Sequence, residues 1–436
     1  MFAINHSIGE KSGKKTGKMS SIVVKDVEEN NSLIWYRNDL RVDNHSGLFN
    51  AIRNSDKVLG FYCFNSKMFE LNELNFHKTD SYRAKFLIES VENLKTELKK
   101  NNISLVIKIG DPVEELTNII SKKNINHVYF QNEWTEEEVQ EEKSLKNKCD
   151  RVKFHSFYGQ FLYDPEDLEI QNISNVFTNF RKHCEKKIEV RNLTDSISKL
   201  NLNNLIREDY NVPTLADLGL NDFDVDSRSA FKFKGGSDSA KERVDYYLWK
   251  SNKISYYKKT RNGLIGLDYS SKFSAWLSNG SISPIEIFWQ IKDYEKNILK
   301  NQSTYWLIFE LIWRDYFKYI SMKYGNKIFK IGGILEKDYH WSRDKEIFNK
   351  WINGLTDEPF VNANMVELSS TGWMSNRGRQ NVASYLSKEL EIDWRWGARY
   401  FESKLIDYDV HSNYGNWMYV SGVGNDPRDR KFNIKF

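Results

Sequence analysis

The chain has 436 residues, 40% hydrophobic and 28% charged, which is too long for one compact core and too apolar to read as disordered. Its net charge of +4 conceals an asymmetry: Lys+Arg against Asp+Glu is 34 to 37 over residues 1–240 and 30 to 23 over 241–436, where 11 of the 13 tryptophans also lie. Cys63, Cys149 and Cys184 are scattered, which argues against a disulfide framework and a thiolate zinc site, and no apolar run approaches membrane-spanning length. A soluble, intracellular protein is expected, with cytoplasm, nucleus and organelle all open.

Residues 1–31 carry Lys11, Lys14, Lys15 and Lys18 among small polar residues without a hydrophobic period, and read as a disordered extension; the lack of arginine argues against an organellar presequence. Short apolar runs follow at Leu33–Tyr36, Val58–Tyr62, Leu105–Ile107, Val128–Phe130 and Val152–Phe154, each reading as a buried strand. Between them lie helical patterns over Ser81–Lys100 and Pro112–Lys123, the second announced by Asp111 as N-cap and Pro112 at the first helical position. Strand and helix alternate, so residues 32–160 are expected to form a doubly wound, mostly parallel α/β domain. No G-x-G-x-x-G follows a strand, so a dinucleotide on the usual phosphate turn is not supported.

Residues 161–240 are polar, with one helix near Val176–Ile188 and loop signals at Pro213 and Gly235-Gly236, and read as a long connector. From 241 to 436 the period turns helical. Tyr305, Trp306, Phe309, Ile312, Trp313, Tyr316, Phe317 and Ile320 make one stripe on a helix from Ser303 to Tyr324. Basic residues and indoles concentrated in this half suit a nucleic-acid surface or a cofactor pocket; ordinary core tryptophan under surface lysine is the plain alternative.

Three clusters could carry chemistry. Glu310, Trp313 and Arg314 share a helix face, read either as an intrahelical Glu310/Arg314 pair or as the wall of a ligand pocket. Tyr269-Ser270-Ser271-Lys272-Phe273-Ser274 sets three hydroxyls and an ammonium beside a helix start, which suits a phosphate or, equally, a serine N-cap. Asp407 to Trp417 packs two carboxylates, an amide and an indole at a turn. Metal binding is disfavoured, because His411 has no second histidine nearby, and no G-x-S-x-G supplies a nucleophile.

The run Gly372–Asn381, the Trp313-Arg314-Asp315-Tyr316-Phe317 block, the stretches Tyr257–Ser274 and Asp407–Trp417, the opening Trp35–Arg41 and the connector's Phe177–Lys182 together resemble the photolyase/cryptochrome family, and within it the cryptochrome DASH subclass. The resemblance covers residues 32–435. It implies an antenna α/β domain, a connector and a helical domain holding FAD in a folded form. Tyr257, Ser270, Ser271, Lys272, Phe273 and Ser274 would line the diphosphate and ribityl region, Arg314 and Asp409 would pair beside the isoalloxazine, Asp407 would accept from flavin donors, and Asn413 would face the flavin N5. Trp417, Trp394 and Trp341 would form a photoreduction chain, against the alternative of three core tryptophans. Glu310, Trp313, Asn376, Arg377, Gln380 and Tyr419 would contact substrate, and Glu133 would hold a folate antenna, methenyltetrahydrofolate, unless it is a solvated strand-end acid.

The implied activity is blue-light repair of cyclobutane pyrimidine dimers by electron transfer from reduced FAD, with single-stranded or looped DNA as partner, RNA as a second candidate, no membrane, and a monomeric state. A photoreceptor that binds nucleic acid without efficient repair is the alternative. Several positions depart from the family pattern: Asn362 and Val366 stand where an Asp and an Arg four apart are usual, and Ala275 where proline is common. The sequence ends at Phe436, some tens of residues before the family pattern does, so no long signalling tail is expected.

Overall fold

Five short runs rich in β-branched and aromatic residues form one parallel sheet in the computed structural model, which describes residues 29–425 and Phe432. The expected extension lies outside the described residues apart from its last three positions. The strands are β1 (Asn31–Trp35), β2 (Lys57–Asn65), β3 (Leu105–Gly110), β4 (His127–Gln131) and β5 (Lys153–Phe157), in the order β3-β2-β1-β4-β5. Leu33 stands between Leu59 and Val128 in register. Alternation along each strand divides the core in two. Ile34, Tyr36, Val58 and Tyr62 pack with α1 (Ser46–Asn54) and α2 (Ser81–Lys100). Leu33, Trp35, Phe61 and Phe130 pack with α3 (Pro112–Lys122) and α4 (Glu136–Lys148). Asp111 caps α3 as expected, its carboxylate accepting from the amides of Val113 and Glu114 at 3.0 and 3.2 Å.

The connector holds α5 (Phe177–Lys187) and little other regular structure, yet it is tied down by polar side chains. Asn204 accepts from the Val58 amide at 2.9 Å and donates to the carbonyls of Val58 and Asn102, so one buried side-chain amide satisfies backbone that no neighbouring strand covers. Gly235 is required by proximity: a Cβ there would stand 2.1 Å from the carbonyl oxygen of Phe86 in α2.

The helical part comprises α6 (Ser237–Asp245), α7 (Tyr257–Thr260), α8 (Ser274–Ser278), α9 (Pro284–Asn297), α10 (Gln302–Tyr324), α11 (Lys345–Ile352), α12 (Pro359–Thr371), α13 (Asn376–Ser384), α14 (Trp394–Lys404) and α15 (Val410–Ser421). α10 starts at a capping box built by Asn301 and Thr304. Ile312, Tyr316, Phe317 and Ile320 of the expected stripe are buried, together with Leu307, Ile308 and Leu311, whereas Tyr305, Trp306, Phe309 and Trp313 are only half-buried. That side faces the connector rather than the helical core, and α5 covers it only in part: Phe177 stacks on Trp313 with ring centres 3.6 Å apart, and Arg181 donates to the Tyr305 hydroxyl. No helix among the described residues is long and apolar enough to cross a membrane.

Asp315 in α10 fastens the start of the connector, its Oδ2 accepting from the amides of Leu162 and Tyr163 at 2.8 and 2.9 Å while Oδ1 has no partner. Burial raises its carboxyl to about 7, against the lowering effect of those two amides. A folded-state pKa above the unfolded value of about 3.9 means the folded chain retains a proton that the unfolded chain releases. This contribution is complete below about pH 4 and is lost as pH rises through 7, on the order of a few kcal/mol in all. Urea unfolding between pH 5 and 8 should therefore show wild type losing stability relative to Asp315→Asn as pH rises; parallel curves would refute the assignment.

Candidate functional site

One cavity in the helical part is lined by Tyr257, Ser270, Ser271, Lys272, Phe273, Ser274, Glu310, Arg314, Asn376, Asp407 and Asp409, all singled out in the sequence. The segment before α8 supplies the hydroxyls and the amine, α10 the acid and guanidinium, α13 the amide, and the turn into α15 the two aspartates. The serines do not cap α8. Phe273 occupies the N-cap with helical backbone and no side-chain bond, and Ser274 instead donates to Asp407 at 2.7 Å. One Arg379 guanidinium nitrogen also reaches both Asp407 oxygens, at 2.9 and 3.1 Å.

Lys272 is the least satisfied group in this wall. It is 2% exposed, its Nζ has no hydrogen-bond partner, and its backbone takes a φ of 65°, unusual for a residue with a side chain. The amine lies 3.4 Å from the ring centre of Tyr269 and 4.8 Å from that of Trp373. Burial, with Arg379 nearby, lowers it to about 6.

Two expected pairings are replaced. Glu310 pairs with Arg261 rather than Arg314, and burial raises its carboxyl while Arg261 opposes the rise. Asp409 pairs with Lys318 at 2.7 Å rather than with Arg314, and its other oxygen caps α15 through the Ser412 amide at 2.8 Å. Burial would raise the Asp409 carboxyl, but Lys318 holds it well below the usual range. Arg314 spends its donors on backbone, reaching the carbonyls of Gln160 and Leu277. Tertiary partners prevail because a buried charge needs close compensation, which a solvated i,i+4 pair of a few tenths of a kcal/mol does not supply.

Other expected residues lie outside this wall. Asn413 is buried and donates to the Ala398 carbonyl at 2.9 Å, tying α15 to α14. Trp313 lies under Phe177. Arg377 and Gln380 are half-buried on α13, and Tyr419 half-buried on α15. Where the family pattern has an ion pair, Asn362 closes a local turn by three hydrogen bonds with Thr356, and Val366 is exposed. Arg261, Trp373 and Arg379 line the cavity although sequence reasoning passed over them as site residues; each sits inside a stretch that carried the resemblance.

Trp417 and Trp394 are buried and Trp341 is half-buried. A Cβ on Gly397, one turn along α14 from Trp394, would stand 2.2 Å from Trp417 Cη2, so the Trp417 indole rests directly on that helix. Trp394 donates to the Ile331 carbonyl at 2.9 Å. Trp341 is brought beside it by backbone bonding, with the Asp393 amide donating to the Ser342 carbonyl at 2.9 Å.

A second cavity, of about 710 Å³, lies between the sheet and the helical part. Glu133 is in its wall, half-buried and accepting from Gln131 at 3.0 Å and Asn38 at 3.3 Å, with burial raising its carboxyl. Ser278, Arg314 and Asp409 line both cavities.

Two family models match the chain: "DNA photolyase" over residues 32–198 and "FAD binding domain of DNA photolyase" over 306–435. Cryptochrome DASH of Xenopus laevis is 46% identical over 91% of this chain and 78% of its own. The chain belongs to the photolyase/cryptochrome family. Among solved structures, a cryptochrome of Synechocystis sp. PCC6803 superposes with a TM-score of 0.89 at 42% identity, covering 93% of this chain and 85% of the other. A class III photolyase from Agrobacterium tumefaciens superposes at 0.79 and 26% identity, covering 95% and 84%. As a photolyase-type flavoprotein the chain takes FAD, and the cavity fits that group. The unpartnered Lys272 amine and the hydroxyls of Ser270 and Ser271 suit a diphosphate, and the carboxylates of Asp407 and Asp409 suit N–H and O–H donors.

Proposed function

We propose that this photolyase-type flavoprotein repairs cyclobutane pyrimidine dimers under blue light and prefers them in single-stranded or looped DNA. Reduced FAD, when bound, supplies the light-driven electron donor; the protein positions, desolvates and contacts. The observation that carries the reading is that Glu310 and Asn376 open onto the same cavity as the Ser270–Ser274 segment and Asp407, so a base brought there meets polar contacts and cofactor together. A dimer must leave the base stack to enter, at a cost of a few kcal/mol, roughly, and least when it is already unpaired. Gln380 and Tyr419 offer less apolar grip on an extruded dimer than larger apolar and indole side chains would, leaving little gain to open a duplex. Phosphate contacts from the basic half of the chain give salt-dependent binding to any DNA, so affinity alone does not report specificity.

The test compares repair yields on matched single- and double-stranded substrates at equal salt and light dose. Single strands should be repaired efficiently and intact duplex poorly; equal yields would overturn the preference. One observation favours the photoreceptor reading, with DNA or RNA bound but not repaired: Glu310 is engaged by Arg261 and Trp313 is covered by Phe177, so two expected substrate contacts are already occupied within the protein. Absence of light-dependent dimer loss in single strands would decide for it. The interdomain cavity, with Glu133 in its wall, is assigned to the folate antenna.

A further inference from the structure

Lys272 has features that FAD contact alone does not explain. A lysine with its amine buried and unpartnered, on a left-handed backbone, is held by its surroundings in a costly state. The fixing comes from Arg243, itself 4% exposed, which donates to the carbonyls of Ser271 at 3.0 Å, Leu267 at 3.1 Å and Ser270 at 3.2 Å and pairs with Asp268 at 2.8 Å. The backbone on the N-terminal side of Lys272 is therefore stapled, and its amine is presented between the rings of Tyr269 and Trp373.

The groups that act on this amine are unequal. Arg379 on α13 and Arg243 on α6 disfavour its charge; Glu367 on α12 and Asp407 favour it. Asp407 is already committed to Arg379 and Ser274, and burial raises the Glu367 carboxyl to about 7, weakening it as a counter-ion. Two fixed guanidiniums thus outweigh the acids, leaving two aromatic faces as the amine's only close company. Both ring faces attract a cation and so offset part of this cost, but burial dominates and an ammonium there still lacks an anion.

We infer that Lys272 waits as a neutral amine and takes up a proton when a dinucleotide's diphosphate enters, so that cofactor binding and protonation are one linked event. This deepens the FAD assignment and rests on it. The proton comes from solvent, the N–H bond formed makes an ammonium, and the diphosphate oxygens become its acceptors. The diphosphate stays dianionic throughout the neutral range, so it does not supply the proton.

The test uses purified holoprotein, stripped of flavin and shown to rebind it, and titrated with FAD by calorimetry at pH 8 in two buffers of different ionisation enthalpy. About one proton should be taken up per FAD, and the affinity should fall by up to about tenfold per pH unit above neutrality. ADP should take up the proton as FAD does, and riboflavin, which lacks the diphosphate, should not. Lys272→Arg should bind FAD with no proton uptake and a flat pH profile, because a guanidinium is always charged. Lys272→Met should bind weakly at every pH, and Glu367→Gln should retain the uptake. Wild-type FAD binding without buffer-dependent heat overturns the proton linkage while leaving the FAD site intact. Uptake that persists in Lys272→Arg assigns the proton elsewhere and overturns it equally. Protein that purifies without flavin and takes up none from added FAD would instead overturn the assignment of this cavity to FAD.

Discussion

Trp394→Phe is expected to abolish flavin photoreduction by an external thiol under blue light while leaving the fold and the bound flavin in place. Trp394 lies between the Trp417 side of α14 and the half-buried Trp341, and phenylalanine keeps most of its volume while removing an oxidisable indole. The lost Nε1 bond to Ile331 and the smaller ring should destabilise the protein by about 1–3 kcal/mol, which a thermal melt will register. Retention of wild-type photoreduction in this variant would show another route through the aromatic core. The adjacent Trp351, whose ring centre lies 6.3 Å from that of Trp417, is then the first residue to replace.

Asp409→Ala should purify without flavin and be markedly unstable. Its partner Lys318 is 3% exposed and would be left as an uncompensated buried cation, at about 3–5 kcal/mol. Loss of the α15 cap adds about 1 kcal/mol. The two effects separate by design. Asp409→Asn preserves the cap but not the charge, and the double change Asp409→Leu with Lys318→Met removes both charges and should recover most of the stability without recovering FAD. The ratio of flavin to protein absorbance, read beside denaturant unfolding, checks both. Stoichiometric FAD in Asp409→Ala would show that this aspartate does not hold the cofactor.

Much of the architecture was legible because it is written in local pattern. Runs such as Leu33–Trp35 and Val128–Phe130 are short, apolar and bounded by polar residues, and Asp111-Pro112 marks a helix start unambiguously. Contiguous site segments were legible for the same reason: Ser270–Ser274, and Asp407 with Asp409, reach one cavity. What could not be read was partnership. Glu310 lies four residues from Arg314 and 49 from Arg261, and only the fold shows that the distant guanidinium is the nearer one. Asp409 and Lys318 are 91 residues apart, and nothing in either neighbourhood marks the other. The α10 stripe misled for a related reason: periodicity identifies an apolar face but not whether a connector such as α5 will lie across part of it.

The partition formed by Ser278, Arg314 and Asp409 has two sides, one towards the flavin cavity and one towards the interdomain cavity. Because the same side chains face both cavities, a change of charge on Arg314 or Asp409 is felt on both sides, with protein rather than saline between. No substitution at these three positions can be read as a lesion of one chamber alone. By linkage, whatever factor an occupant of one chamber imposes on the affinity of the other chamber through these shared residues, an occupant of the second imposes on the first.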